Sequence, residues 1–377
     1  MEAYLDHAAS TPARPEVIDA MVPWLADHPG NPSGAHKSAR EARRAIDDVR
    51  DLVAELVGGD PGDVVFTSGG TEADNLAVDG VLGATGGLAG CSATEHPAVL
   101  EPVQESDGLI APTDKAGRVD LTTLAEILDA VDDVALVSVM LANNETGVIN
   151  PVAEVAALVA EKSSTTVVHT DAVQATAWID LATHCAGAHL ISLTGHKIGG
   201  PKGAGALVAK KGTPLRPVLR GGGQERERRS GTQNVPAIVG LGAALRLAMD
   251  ERAAVVARVG ALRDRLETGL LRTVENTTCS LPSGAERTPL VAHLCFGGIA
   301  SESLLFLLEQ EGIAASAASS CASGAQEPSH VLAAMGVDRL VAEGALRLSL
   351  GWTTSEAEID HALEVIPPAV ARLREYA

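Results

Sequence analysis

Apolar residues along this chain recur with two alternating periods. Lys37–Val57 carries Ala39, Ala42, Ile46, Val49 and Val53 at the spacing of one helix face, and Gly58-Gly59 with Pro61 closes it. Val64-Val65-Phe66 predicts a short strand that enters Thr67-Ser68-Gly69-Gly70-Thr71-Glu72. Val134–Leu141 is an apolar run of strand length ending at Asn143-Asn144-Glu145-Thr146-Gly147. Pro151–Glu161 predicts a helix with proline in its first turn. Further strands are predicted at Thr166–His169, stopping at Asp171, and at Leu190–Leu193, stopping at Gly195-His196-Lys197. Strands apolar on both faces and separated by helices predict a mostly parallel sheet covered on each side.

The Gly/Arg-rich stretch Gly221–Gly231 ends this section, and a long helix is predicted from Pro236 to about Leu271. A strand at Val291–Phe296, a helix at Ser301–Gln310, a small-residue loop at Ala314–Gly324 and a strand at Leu346–Leu350 follow. Ser355–Arg374 is a final amphipathic helix. This order predicts a second, smaller α+β domain, with no internal repeat.

Composition narrows the class. Of 377 residues, 46% are hydrophobic and 21% charged, a globular balance. With only 3 Trp, 2 Tyr and 3 Phe, the core must be built from Ala, Val, Leu and Ile. Lys and Arg total 29 against 49 Asp and Glu, a net charge of -20 that repels phosphate backbones and argues against direct nucleic-acid binding. The start, Met1-Glu2-Ala3-Tyr4-Leu5-Asp6, lacks the basic and apolar regions of a secretory signal. The longest apolar stretches, such as Val134–Ala142 and Pro236–Leu245, are well short of the ~20 residues of a membrane helix. Cys91, Cys185, Cys279, Cys295 and Cys321 are odd in number and scattered, so neither a disulfide framework nor a zinc ribbon is encoded. A soluble cytoplasmic protein without a bound metal is expected.

The polar residues then point to chemistry. Ser68–Thr71, Asn143–Glu145, Asp171–Gln174 and Thr194–Lys197 all fall at the carboxyl ends of predicted strands, where open parallel sheets bind ligands. The Gly69-Gly70-Thr71 turn opens a helix whose first N–H groups could hold an anion, although Gly and Thr are common at any helix start. Neither a G-x-G-x-x-G nor a Walker motif is present, so nicotinamide and P-loop nucleotide sites have no support. Lys197 follows an apolar strand within a Gly-rich turn, and Asp171 ends a strand 26 residues earlier. A lysine that forms a Schiff base and an Asp that pairs with a pyridinium nitrogen are the two groups pyridoxal phosphate needs most. A solvated lysine is the plain alternative. Arg226, Arg228 and Arg229 interleave with Glu225 and Glu227, a local charge of only +1. His293 and Cys295 alternate on one strand face, which suits core packing better than metal binding.

With these residues in view, the sequence resembles the NifS/IscS-type cysteine desulfurases of the class V aminotransferase superfamily. The resemblance rests on Tyr4-Leu5-Asp6-His7-Ala8-Ala9-Ser10-Thr11-Pro12, Phe66–Glu72, Thr94-Glu95-His96, Ala142–Gly147, Gly195-His196-Lys197, Gly200-Pro201-Lys202-Gly203, Arg229-Ser230-Gly231-Thr232 and Leu346–Gly351. It implies an α/β protein of pyridoxal-phosphate fold type I. A large domain, 12–250, would hold a mostly parallel seven-stranded sheet, and residues 1–11 with 251–377 would form a smaller α+β domain. The implied reaction converts L-cysteine to L-alanine and leaves a persulfide on the enzyme, for delivery to a sulfur-acceptor protein such as an iron–sulfur scaffold. The implied state is a homodimer.

Residue by residue, the resemblance makes Lys197 the lysine linked to pyridoxal 5'-phosphate, Asp171 the partner of its ring nitrogen and His96 the ring-stacked proton-transfer residue. Gly70, Thr71, Thr194 and His196 would hold the phosphate, with Thr232 reaching it from the other subunit. Asn144 and Gln174 would contact the ring's oxygen side, Arg347 would grip the substrate carboxylate near Asn144 and Asn31, and Cys321 would accept the sulfur. Turn chemistry is the alternative for Asn31-Pro32, and an interface ion pair the alternative for Arg347. This chain departs from the family at Gly70, where Ala is common, at Gly199, where Tyr is common, and at Ala318-Ser319-Ser320-Cys321, where Gly-Ser-Ala-Cys is typical. It also ends soon after its last helix, at Ala377. A class V aminotransferase, a selenocysteine lyase and a non-catalytic relative are the competing readings; Cys321 counts against the first two, and Lys197, Asp171 and His96 together against the third.

Overall fold

A computed structural model describes residues 2–317 and 329–375. The chain opens with a two-residue strand, β1 (Ala3–Tyr4), then α1 (Pro15–Ala26) and α2 (Lys37–Val57). Helix α2 ends as its sequence demands, with Gly58 left-handed at φ 64°. Then come β2 (Val64–Thr67), α3 (Gly70–Thr85), β3 (Leu88–Ser92), α4 (Pro97–Glu105), β4 (Leu109–Ala111), α5 (Leu121–Ala130), β5 (Val134–Ser138), α6 (Val152–Lys162) and β6 (Val167–Asp171). The short α7 (Leu181–His184) leads to β7 (Leu190–Thr194) and β8 (Gly205–Ala209). These strands form a seven-stranded sheet in the order β2-β8-β7-β6-β5-β3-β4. Only β8 runs against its neighbours; it is antiparallel to both β2 and β7.

Alternate residues of each strand feed apolar layers on opposite faces. Val64, Phe66, Val137, Val168, Ile191 and Val208 pack in one cluster, and Val65, Leu136, Val167, Leu190 and Leu207 in another, beneath α3 and α4. The sequence pattern therefore locates β2, β5, β6 and β7 but not β3, β4 or β8, and the strand at Val134 ends three residues earlier than the apolar run.

Helix α8 (Val235–Thr273) packs its first half, through Ala248, into the large-sheet core and its second half, from Val259, into a different cluster. That second cluster is built on β9 (Thr277–Cys279), β10 (Val291–Phe296), α9 (Ser301–Gln310) and β11 (Ile313–Ala314), followed by α10 (His330–Ala334), α11 (Arg339–Ala342), β12 (Ala345–Ser349) and α12 (Glu356–Glu375). Strands β12, β10 and β9 form an antiparallel sheet, and β11 pairs in parallel with β1. The N-terminal segment thus belongs to the C-terminal part of the fold. Leu5 packs among Leu294, Leu346 and Leu348, and Leu5 N–H donates to the Ala314 carbonyl at 2.8 Å.

Among the described residues, no helix is long and apolar enough to cross a membrane, and no group of His, Cys, Asp and Glu could hold a metal ion.

Candidate active site

At the carboxyl ends of β2, β5, β6 and β7 lies a cavity of about 330 Å³, roofed by the N-terminal segment and β12. Its lining includes Ala8, Gly70, Thr71, Asp74, His96, Met140, Asn144, Asp171, Gln174, Thr194, His196, Lys197 and Arg347. The fold therefore brings together ten of the residues singled out by the sequence, drawn from positions as far apart as 70 and 347. Asn31 and Thr232 do not line it. Asn31 is exposed, and its Oδ1 accepts the Ser33 N–H at 3.0 Å, the turn geometry that was its alternative. Thr232 is exposed on the loop beyond β8. Cys321 lies outside the described residues, as do Ala318, Ser319 and Ser320.

One end of the cavity suits an anion. Helix α3 begins at Gly70 with no side-chain cap, so its first N–H groups face the cavity without an internal acceptor. A Cβ at Gly70 would stand 2.8 Å from Val173 Cγ2, so in this chain glycine lets the helix start approach the β6 loop. The family's usual Ala would need Val173 to move. Gly199 likewise holds φ +80°, and a Cβ there would meet Arg14 Cγ at 2.8 Å, which excludes the family's Tyr.

The other end is a group of buried ionisable side chains. Asp171 Oδ1 accepts the Val173 N–H at 2.8 Å, and its second oxygen has no donor among the described residues. Burial pushes this carboxyl up, against the pull of His96 and Lys197. A cation or hydrogen-bond donor at its free oxygen would favour the ionised form. His96 begins α4, where its Nδ1 accepts the Ala98 N–H at 3.1 Å. In the neutral ring the proton therefore sits on Nε2, and burial lowers the pKa enough to favour that neutral form. Lys197 Nζ donates to the Ala8 and Ala9 carbonyls, the latter at 2.8 Å. Burial, then the Arg347 charge, lowers its pKa from 10.5 to about 8. His196 is brought down to about 4, chiefly by burial.

Arg347 is placed on β12 and donates to the Asn144 carbonyl at 3.1 Å and to Asp6 Oδ1 at 2.8 Å. The Asp6 contact is an ion pair, so the alternative reading of Arg347 also has substance here. Gln174 donates to the Ala8 carbonyl at 2.8 Å, and Thr194 to Ala204 at 3.3 Å.

The sequence reading missed three buried groups behind the cavity. Asp74 is one turn along α3 from Thr71 and is 1% exposed. His169 Nε2 stands 3.6 Å from Asp74 Oδ1 and 2.9 Å from Ser192 Oγ, while its Nδ1 is 2.8 Å from Ser138 Oγ. Glu95 accepts the Met140 N–H at 2.5 Å. Burial and the nearby Asp171 charge hold both acids well above the usual carboxylate range. Two periodicities could have revealed Asp74 and His169, the i, i+3 step from Thr71 to Asp74 and the i, i+2 step from His169 to Asp171.

The loop between β8 and α8 is anchored by a buried ion pair. Arg50 Nη1 and Nη2 donate to Glu225 Oε2 and Oε1 at 3.0 and 3.1 Å, and the Phe66 N–H donates to Oε2 at 3.0 Å. Glu225, Arg226 and Glu227 hold φ of 49, 55 and 66°, a left-handed run unfavourable for side chains with a Cβ. The Glu225 contacts fix it, and Arg229 ties the same loop to Glu72 of α3 at 2.7 Å.

Residues 3–362 match the aminotransferase class-V family. The chain is 44% identical to the IscS-like cysteine desulfurase of Mycobacterium tuberculosis, over 100% of this chain and 98% of that protein. The chain belongs to the class-V aminotransferases. Within that family it stands with the cysteine desulfurases: the NifS enzyme of Azotobacter vinelandii is 41% identical over 99% of this chain and 94% of its own length. A solved NifS-like protein superposes with a TM-score of 0.91 at 34% identity, covering 99% of this chain and all of that one. The expected α/β architecture, with its mostly parallel sheet, is the family's.

Members of this family use pyridoxal 5'-phosphate, and the residues here suit that group. An uncapped helix start matches a phosphate, a buried carboxylate oxygen lacking a donor matches a protonated ring nitrogen, and a lysine of lowered pKa matches an aldehyde.

Proposed function

We propose that this chain is a pyridoxal-phosphate-dependent cysteine desulfurase that converts L-cysteine to L-alanine and hands the sulfur on as a persulfide. The observation that carries the reading is the convergence of Lys197, Asp171, His96 and Arg347 on one cavity beside an uncapped helix start. In the proposed arrangement Gly70, Thr71, Thr194 and His196 hold the cofactor phosphate, and the partner subunit's Thr232 completes that site in a homodimer. Asn144 and Gln174 face the ring's oxygen side, and Asp171 keeps the ring nitrogen protonated. Bound there, the cofactor supplies a sink for the electrons left on substrate carbon when a proton departs.

Arg347 holds the substrate carboxylate, exchanging part of its contact with Asp6 for a bidentate pair. Asn31 is proposed to border the substrate entrance from its exposed turn. Lys197 Nζ, with its pKa lowered to about 8 and so partly uncharged near neutral pH, takes the proton from the substrate α-carbon. His96, with its proton on Nε2, serves proton transfer above the ring. Cys321 acts as thiolate. Its sulfur forms a bond to the substrate sulfur, the substrate Cβ–S bond breaks, the β-carbon takes a proton, and the α-carbon regains the one held by Lys197 to give alanine. A reducing cytoplasm would keep that thiol available. The acceptor is a protein of a sulfur-requiring pathway, such as iron–sulfur assembly.

Replacing Cys321 tests the reading. Cys321→Ser should bind the cofactor normally and change its spectrum with cysteine, yet form no persulfide and almost no alanine. Persulfide found by mass spectrometry on Cys91, Cys185, Cys279 or Cys295, with Cys321→Ser still active, would sink the assignment.

A further inference from the structure

Across the small sheet runs a polar rung that packing does not explain. His293 on β10 lies directly opposite Arg347 on β12, and Ser280, just past β9, flanks His293 on the other side. Cys295, two residues along on the same face, packs with Leu281, Val331, Leu332 and Ala345 in an apolar cluster, as the sequence suggested for both residues. His293 does not share that setting. The residue is 1% exposed, yet among the described residues its Nε2 has no hydrogen-bond partner, and neither has the buried Nε of Arg347.

The two orphaned atoms are complementary. Ser280 Oγ lies 2.7 Å from His293 Nδ1 and 3.2 Å from the His293 carbonyl oxygen. A hydroxyl has one proton, so both contacts are favourable only if it donates to the carbonyl and accepts from Nδ1–H. Nε2 is then a bare lone pair, whereas Arg347 Nε always carries hydrogen. Full burial, together with the Arg347 charge, takes the imidazole pKa down to about 3, so the ring stays neutral at working pH. An acceptor and a donor, each buried and unpaired, therefore stand on directly opposed residues of neighbouring strands.

We propose that His293 is a positioning residue for the substrate carboxylate: its Nε2 accepts the Arg347 Nε–H through one bridging water and aims the two terminal nitrogens at the ligand. This rests on the reading of Arg347 as the carboxylate grip. A guanidinium held only by its outer nitrogens, at Asp6 and the Asn144 carbonyl, must give up a contact to receive a substrate. A third contact at Nε keeps the plane fixed while that exchange occurs, which lowers the ordering cost of binding.

Side-chain mimicry gives the test. A glutamine amide oxygen reaches the place of Nε2, and an asparagine amide that of Nδ1. In holoenzyme, His293→Leu and His293→Asn should raise both the KM for L-cysteine and the calorimetric Kd for L-alanine about three- to tenfold, the value of one buried hydrogen bond. The kcat should stay within about twofold, and His293→Gln should bind like the parent. Cysteamine, which lacks the carboxylate, should bind all four proteins alike. If His293→Leu does not fold, the contrast between Asn and Gln still decides. Equal Kd values for Asn and Gln, or equal losses for cysteamine and cysteine, would overturn the proposal. Arg347→Lys separates the two claims. If it binds L-alanine as the parent does, the carboxylate grip itself is wrong and His293 falls with it; if it loses binding while the His293 variants keep theirs, only the role of His293 fails.

Discussion

The amine of Lys197 should capture a pyridoxal aldehyde far faster than an ordinary lysine. Capture needs the uncharged amine, and burial with the nearby Arg347 charge brings its pKa from 10.5 to about 8. At pH 7.5 about a quarter of such amines are neutral, against about one in a thousand at the ordinary pKa, a gain of roughly 200-fold. With cofactor removed and then returned in excess, the rate of the lysine-linked absorbance change should rise with pH and level off, with its midpoint near 8. The sign of two perturbations follows from the charges around Nζ. Arg347→Gln removes a repelling cation and should move the midpoint up. Asp171→Asn removes an anion that favours the ammonium form and should move it down. A midpoint at pH 10 or above in the parent protein, or shifts in the opposite directions, would refute the account of how this site prepares its lysine.

Other consequences can be measured separately. Asp171→Asn deletes a charged acceptor at a buried position, so the cofactor Kd from equilibrium dialysis should rise about 10- to 100-fold; an unchanged Kd would remove Asp171 from the ring nitrogen. Glu225→Ala takes from the buried Arg50 its bidentate partner and leaves it the Val64 carbonyl and the more distant Asp47, which should cost up to about 3–5 kcal/mol and lower the Tm by up to about 4–6 °C in calorimetry. A loss below 1 °C would mean that the loop does not depend on this pair. In light scattering the active species should be a dimer, and Thr232→Ala should weaken cofactor binding without touching the cavity of its own chain. A monomer with full turnover would exclude a shared site.

Much of the fold could be read from residue order because the two periodicities are clean. Helix α2 keeps one apolar face over six turns and meets a glycine at its end, so its observed bounds, Lys37–Val57, coincide with the pattern. Strands β2, β5, β6 and β7 are short apolar runs and stand out equally well, whereas β3, with Gly90 and Ser92 in it, and the three-residue β4 were not read. Strand β8 escaped notice because Gly205-Ala206-Leu207-Val208-Ala209 continues a glycine-rich turn, and its antiparallel direction is a tertiary fact. Lys197 and Asp171 were visible as chemistry at neighbouring strand ends, whereas Arg347 was marked only by the resemblance, since only the fold joins β12 to β6 and β7. The Ala8 and Ala9 carbonyls that receive Lys197 are backbone groups and leave no side-chain signal. Asp74 and His169 were passed over because reading residue by residue hides steps of three and two.

The N-terminal segment also sets when, during synthesis, the site can exist. Asp6 meets Arg347 across 341 positions, and Ala8 and Ala9 meet Lys197 across 189 and 188. Ala3 and Leu5 are held by residues 312–314. On a ribosome adding about 5–20 residues per second, the first residues made must wait for nearly the last before they have anything to dock against. A nascent chain that already contains the whole seven-stranded sheet would still lack the roof over Lys197 and the counter-ion partner of Asp6. The Asp6–Arg347 ion pair and the docking of Ala3 and Leu5 on residues 312–314 are thereby postponed until Arg347 has been made.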